Sequence, residues 1–497
     1  MFELFWHSTV GILLNPGMVG LLAFGSVVGI LFSAFPGLNA TLGVAVLLPV
    51  TFGLAPGIGI GFLTSVYIGA MCGGLFAATL LRIPGNPSSI ATTFDGYPLS
   101  RKGFPLKALG TGVFANFAGG ILGLLALVAL APLISKVALK FGPYEMTVLT
   151  VMAMLLVISL SRGNAIKGLL AALLGMAVGV VGLAPIDGAP RLTFGNINLT
   201  GGFGILPVIV GLFAVAQIVR EVARRPTKVV LDLEMKGLGV TLREVRDNLW
   251  NILRSSAIGV WIGVLPGIGA SASSIVAWAV AKRGSKTPEE FGKGSVEGIW
   301  ASETSNNANV GGSLLPLLTL GIPGDAVTAL MIAGFMVHGL QPGPLLFREH
   351  PEVISDIYAA YLFATIFVLI FQVATLRIFP RLLLIPHHFL MPVMLMLTVI
   401  GTHAADNEVF EVWVMLAFGG VALILEYLGF SMAILVLGFI LGPLLELNLR
   451  RALTYDAGDL TPFLTRPISA GMIALALASL AFIAWRQRKG GLNYEDD

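Results

Sequence analysis

Four Pro-Gly steps interrupt apolar sequence at Pro36-Gly37, Pro84-Gly85, Pro266-Gly267 and Pro323-Gly324. Proline removes a backbone N–H and clashes with the preceding turn. Glycine exposes backbone and permits positive φ. A helix that breaks there leaves backbone groups free, and amide and hydroxyl side chains follow at once. Asn39 and Thr41 come after the first step, Ser88, Ser89 and Thr92 after the second, Ser271 and Ser273 after the third. A helix that restarts beyond the break turns free N–H groups and its positive dipole end toward an anion. The same residue types also serve as plain N-caps. Ser89 and Thr92, at helical spacing, also suit helix packing through small polar side chains.

Two acidic residues stand near these steps. Glu303 enters an apolar helix in ASETSNNANVGG, beside Asn306 and Asn307, which are the second half's candidates for substrate contact opposite Asn39 and Thr41. A carboxylate at membrane depth is costly and usually functional, and amide carbonyls suit a hard cation. Asp95 in TTFDGYP is the second candidate for a coupling ion, though Asp-Gly is also a turn signal. Arg82 either answers an anion's charge or snorkels to the interface. His338, His387, His388 and His403 have no metal-binding spacing, and GKGSVEG lacks the Lys-Ser/Thr pair of a nucleotide loop. The reading is a non-enzyme without cofactor or metal centre, for which ATP is not the obvious energy source.

The surrounding chain decides the class. Of 497 residues, 56% are hydrophobic and 11% charged, against about 25% charged in a soluble domain. No charged shell can be built, so a soluble enzyme and a nucleic-acid binder are excluded, and the partner implied is the lipid bilayer. Long unbroken apolar runs exclude a β-barrel. The fold class predicted is an all-α polytopic membrane protein with roughly 12 transmembrane helices. The single cysteine, Cys72, forbids an internal disulfide. Arg220, Arg224, Arg225, Lys228, Lys236, Arg243, Arg246 and Arg254 place 220–254 in the cytoplasm, and the absence of Lys and Arg before Arg82 places the N-terminus outside. Within that connector Leu242, Val245, Leu249 and Leu253 form one face of an amphipathic helix.

The breaks recur. Gly29, Pro36, Gly37 and Ala40 match Gly259, Pro266, Gly267 and Ala270, and GGLFAATLLRIPG ending at Gly85 matches GGSLLPLLTLGIPG ending at Gly324. This divides the chain into a first membrane half, 1–219, a basic connector, 220–254, and a second half, 255–497. Opposite flanking charge makes the repeats inverted, each with Pro-Gly-broken or re-entrant helices. Paired interrupted helices in corresponding halves point to a transporter binding site.

The ordered motifs FPGLNATLGVAVLLPVTF, GAMCGGLFAATLLRIPGNPSSIATTFDGYPLSRKG, GLFAVAQ, VLPGIGAS, EEFGKGSVEGIWASETSNNANVGGSLLPLLTLGIPGD and HGLQPGPLLF resemble those of the tripartite tricarboxylate transporters' large membrane subunit, the TctA family. The resemblance covers nearly the whole chain. It implies a permease in the bacterial inner membrane that imports tricarboxylates such as citrate, or related di- or aromatic carboxylates, by symport with Na⁺ or H⁺. It also implies a small membrane subunit and a periplasmic substrate-binding protein as partners. A stand-alone carrier, a channel and an intramembrane enzyme are the alternatives. Arg82 departs from the pattern, which holds a small polar residue there, usually Asn.

Overall fold

Prolines start many of the helices. Pro16, Pro56, Pro105, Pro143 and Pro351 each open one, where the missing N–H costs nothing and the fixed φ already suits the helix. In the computed structural model, residues 2–35, 37–159, 165–223, 239–379, 390–455, 457–474 and 476–478 are described. Pro36, Arg224, Arg225, Lys228, Lys236, His387 and His388 lie outside them.

The described helices are α1 (Phe2–Leu13), α2 (Pro16–Ala34), α3 (Ala40–Leu47), α4 (Pro56–Leu81), α5 (Thr92–Arg101), α6 (Pro105–Ala138), α7 (Pro143–Ser159), α8 (Ala165–Gly179), α9 (Ile205–Val210) and α10 (Ala216–Ala223). There follow α11 (Leu242–Asp247), α12 (Leu249–Val264), α13 (Gly269–Gly284), α14 (Val296–Leu320), α15 (Ala326–Val337), α16 (Pro344–Glu349), α17 (Pro351–Thr375), α18 (Leu390–Asp406), α19 (Val409–Tyr427), α20 (Met432–Tyr455) and the single turn α21 (Pro462–Thr465). A π-helical turn, Gly211–Val215, joins α9 to α10.

Among the described residues seven helices are long and apolar enough to cross a membrane, and several shorter apolar ones accompany them. The protein is an all-α polytopic membrane protein. The shorter helices include pieces cut by the breaks, such as α3 and α15, so a count of apolar segments is not a count of crossings. The single amphipathic helix expected near 241–255 is two helices. Asn248 interrupts it with φ −95° and ψ 3°, and Leu242 is 90% exposed.

By contact the chain forms two units. One comprises Met1–Lys136 with Gly204–Ile424, and the other Val137–Phe203 with Leu425–Asp497. In the second, α8 meets α20 closely, because Gly438 lies on the Ala172 carbonyl where a side chain would collide. Arg466 pairs with the buried Glu145 at 2.8 Å.

The first unit contains both copies of the repeat, and glycine sets its packing. Gly29 of α2 lies on the Val66 carbonyl of α4, and Gly73 of α4 lies on the Ile30 carbonyl of α2. Their counterparts do the same: Gly259 of α12 lies on the Ser305 carbonyl of α14, and Gly312 of α14 on the Val260 carbonyl. Small residues that let backbones meet are the usual means of joining membrane helices. The repeat seen in residue types is thus also a repeat of contacts.

Candidate functional site

Each half breaks twice, and the two breaks of a half touch. In the first half α2 stops at Ala34 and α3 restarts at Ala40, capped by Asn39, whose Oδ1 accepts the Leu42 N–H at 2.8 Å. Gly37 turns the chain with φ +95°. After α4, Pro84 leads into the buried Gly85, which lies on the Ser33 carbonyl at the end of α2. In the second half α12 gives way to α13 through Pro266 and Gly267, at φ +79°. The Gly267 N–H donates to the Gly324 carbonyl at 2.9 Å. Gly324, next to the buried Pro323, packs against Gly263 as Gly85 packs against Ser33. Even the caps correspond. Asn86 and Ser89 form a capping box over the short helix Pro87–Ser89, and Asp325 and Thr328 form one over α15.

The halves exchange contacts. The segment after the first break of each half packs on the segment after the second break of the other: α3 on α15, and α13 on Pro87–Ser89. The Ser274 hydroxyl of α13 donates to the Ser88 carbonyl at 2.8 Å. Likewise α5 packs on α14 and α15 on α4. Such reciprocal contacts are what a two-fold relation between like units produces.

Between α4, α5, α6 and α14 lies a wholly buried polar cluster. The Thr92 hydroxyl donates to Glu303 Oε1. Asn306 Nδ2 donates to the Met71 carbonyl at 3.1 Å and lies 3.4 Å from Glu303 Oε2. Asn307 Nδ2 donates to Asn116 Oδ1 at 2.6 Å, and Asn307 Oδ1 accepts the Cys72 thiol at 2.9 Å. Asn306 Oδ1, Asn116 Nδ2 and the Ser88 and Thr304 hydroxyls are buried without a hydrogen-bond partner. No ion pair among the described residues involves Glu303, so a buried carboxylate and an orphaned amide oxygen stand together. A proton or a cation would answer both.

The predicted residues therefore divide. Thr92, Glu303, Asn306 and Asn307 come together, and Ser88 meets the α13 side. Ser89 bonds within its own turn to the Asn86 carbonyl, and Ser273 bonds back to the Ala270 carbonyl at 3.0 Å. Thr41 and Ser271 are half-buried near their breaks. Among the described residues no hydrogen bond joins Asn39 or Thr41 to Asn306 or Asn307. Asp95 is not in a turn; it lies in α5. Its Oδ1 accepts the N–H groups of Gly292, Gly294 and Ser295 at 2.8–3.0 Å, and its Oδ2 accepts Trp278 Nε1 at 2.6 Å. That is an anchor for the loop that starts α14. Arg82 is exposed, left-handed at φ 59°, and its guanidinium lies 5.9 Å from the Tyr97 ring centroid.

Residues that the sequence reading passed over complete the picture. Tyr67 of α4 donates its hydroxyl to Asp325 across the halves. Gln217 donates to the Gly37 carbonyl, and the Glu221 carboxylate fills the space beside Gly37. The signals were present: an acid directly after Pro323-Gly324, and a lone amide closing GLFAVAQ.

The model of the family described as "Tripartite tricarboxylate transporter TctA family" matches residues 19–437. An "uncharacterized 52.8 kDa protein in TAR-I ttuC' 3'region" of Agrobacterium vitis is 36% identical over 454 residues, 91% of this chain and 90% of the relative. An "uncharacterized protein in TAR-II ttuC' 3'region" of the same organism is 36% identical over 242 residues, 48% of this chain and all of the relative. No solved structure matches the chain.

Proposed function

The chain belongs to the tripartite tricarboxylate transporter TctA family, and from that premise we propose that it is the large membrane subunit of a secondary carrier importing organic carboxylates with a cation. The observation that carries this reading is the double break in each half, with the Gly267 N–H bonded to the Gly324 carbonyl and Gly85 seated on Ser33. Irregular backbone at membrane depth is tolerated where it is buried or lines a cavity, and paired broken helices mark carrier sites. In this reading the halves are inverted repeats. The anion, a tricarboxylate such as citrate or a related di- or aromatic carboxylate, meets the starts of α3 and α13, with Asn39, Thr41, Ser88 and Ser271 as neutral donors. Glu303 with Thr92 and Asn306 takes the coupling Na⁺ or H⁺. Asp95 already accepts four donors, which favours Glu303 for that role. A cation beside the anion offsets its charge while both cross, a physical reason for symport. The complex sits in the bacterial inner membrane with a small membrane subunit and a periplasmic binding protein that captures scarce substrate.

Counterflow in proteoliposomes holding all three components tests the proposal. Internal unlabelled carboxylate should accelerate entry of labelled carboxylate, and entry should need a cation gradient to concentrate it. Flux without such exchange is channel behaviour and overturns the reading. Robust uptake by this subunit alone at micromolar substrate would replace the tripartite assembly with a stand-alone carrier.

A further inference from the structure

Arg254 occupies an unusual place. It lines a groove of about 560 Å³ on the outer side of α12 and α13, together with Trp250, Leu253, Ala257, Trp261 and Val276. Trp250, Arg254, Ala257 and Trp261 follow one another at steps of four, three and four residues, so they form one stripe along α12. The two indoles are 72% and 69% exposed, and the small Ala257 between them gives the groove its depth. Arg254 Nη2 donates to Asn251 Oδ1 at 2.9 Å, while its Nε is buried without a partner. No ion pair among the described residues involves Arg254. The groove wall itself is apolar, lined by the Arg254 stem rather than by its nitrogens, so the guanidinium stands as a positive charge at the edge of the groove.

The setting says which anion. The groove faces outward from a chain that spans the membrane, beside Lys282 and Arg283 in the last turn of α13. Gly284, which ends that helix, lies against the Arg254 guanidinium. Positive charge concentrated at one end of an apolar groove suits the leaflet that carries anionic headgroups. Trp250 to Trp261 spans eleven residues, about 16 Å at 1.5 Å per residue. That is half of the roughly 30 Å hydrocarbon thickness, the depth of one leaflet. The volume lies within the usual range for small-molecule sites, about 300–1,000 Å³. We propose that this groove binds an anionic glycerophospholipid, with an acyl chain along Ala257 between the two indoles and the headgroup at the basic edge where Arg254, Lys282 and Arg283 lie.

The test uses the full chain, purified and delipidated in detergent, with phosphatidylglycerol, cardiolipin or phosphatidylcholine added back. Native mass spectrometry should show a retained anionic lipid, thermal unfolding should shift upward with it, and phosphatidylcholine should do neither. Arg254→Ala should lower anionic-lipid affinity at least ten-fold. Ala257→Leu, which fills the groove and leaves the charge in place, should also lose the lipid while unfolding at the temperature of the delipidated wild type. Arg254→Lys should retain part of the binding. Equal retention in Arg254→Ala, or equal effects of phosphatidylcholine, overturns the proposal. So does an equal shift with glycerol phosphate alone, which would mean a site for a free anion. Crosslinking of Trp261→Cys to a co-purified membrane subunit in place of lipid would likewise overturn it.

Discussion

Glu303 has Thr92 and Asn306 at its carboxylate and no basic partner in any ion pair among the described residues; in the proposed function the group that neutralises it comes and goes with transport. Glu303→Gln keeps a side chain of the same shape and removes the charge. The expected result is counterflow that persists while uphill uptake falls at least ten-fold and no longer responds to the cation gradient. Coupled uptake at the wild-type rate would assign the ion elsewhere. Arg82 raises a different question, because its left-handed φ of 59° matches φ 71° at Gly321, its counterpart in the second half. An L-residue pays roughly 1 kcal/mol there, and Asn tolerates the region better than Arg. This gives a conformational reason to expect a small polar residue such as Asn at that position. Arg82→Asn should raise stability by up to about 1 kcal/mol; a lower melting temperature would show that the contact with Tyr97 outweighs the strain. Polar residues in an apolar helix singled out Glu303, Asn306 and Asn307 as candidates from the chain alone. Their partner Thr92 was readable only as a separate candidate, since 211 residues separate it from Glu303 and pairing across that distance is a property of the fold.

Helix contacts here depend on missing side chains. A Cβ at Gly29 or Gly259 would meet a backbone carbonyl, which cannot move aside as a side-chain tip can. Gly29→Val and Gly259→Val should each destabilise by about 1–3 kcal/mol, the cost of overpacking. Gly20→Ala in α2, with open space around it, should be neutral or stabilising. Melting temperatures of the three variants in one detergent check this; a Gly259→Val protein as stable as wild type would refute the close-packed interface. The breaks themselves were foreseeable from Pro-Gly. The split between α11 and α12 was not, because hydrophobic periodicity runs on through Asn248. That short α11 is tied to the start of α6 by the Lys107–Glu244 ion pair. Partial burial raises the Glu244 carboxyl, but hydrogen bonds from Lys107 and the Thr241 backbone outweigh this and hold it below its ordinary value. A depressed acid contributes its stability in full above the unfolded value, about 4.3 for glutamate, and loses it as pH falls through the folded value. Protection of the α11 amides, taken relative to their intrinsic exchange rates, should therefore fall as pH drops below the unfolded value of about 4.3, and Glu244→Gln should flatten that dependence. The pair is half-solvated, so the effect stays below about 1 kcal/mol.

Reciprocal contacts relate the halves by a two-fold operation, and such an operation has two possible settings in a bilayer. An axis along the membrane normal gives parallel repeats, and an axis in the membrane plane gives inverted ones. Packing alone is the same in both. Charge separates them: no Lys or Arg precedes Arg82, whereas Arg254, Lys282, Arg283 and Lys286 flank the second copy. Under the positive-inside rule the link from α3 to α4 and the link from α13 to α14 then lie on opposite sides. Both links carry exposed residues suited to labelling, Ala55 and Lys286. The native thiol does not interfere, because Cys72 is buried. Ala55→Cys avoids the neighbouring Gly53, whose φ of +78° would strain a cysteine. In oriented vesicles an impermeant maleimide should reach Ala55→Cys from the periplasmic side and Lys286→Cys from the cytoplasmic side. Labelling of both from one side would make the repeats parallel. The starts of α3 and α13 would then open toward the same face, and a carrier built on one site between them would lose the symmetry by which it could expose that site to either side in turn.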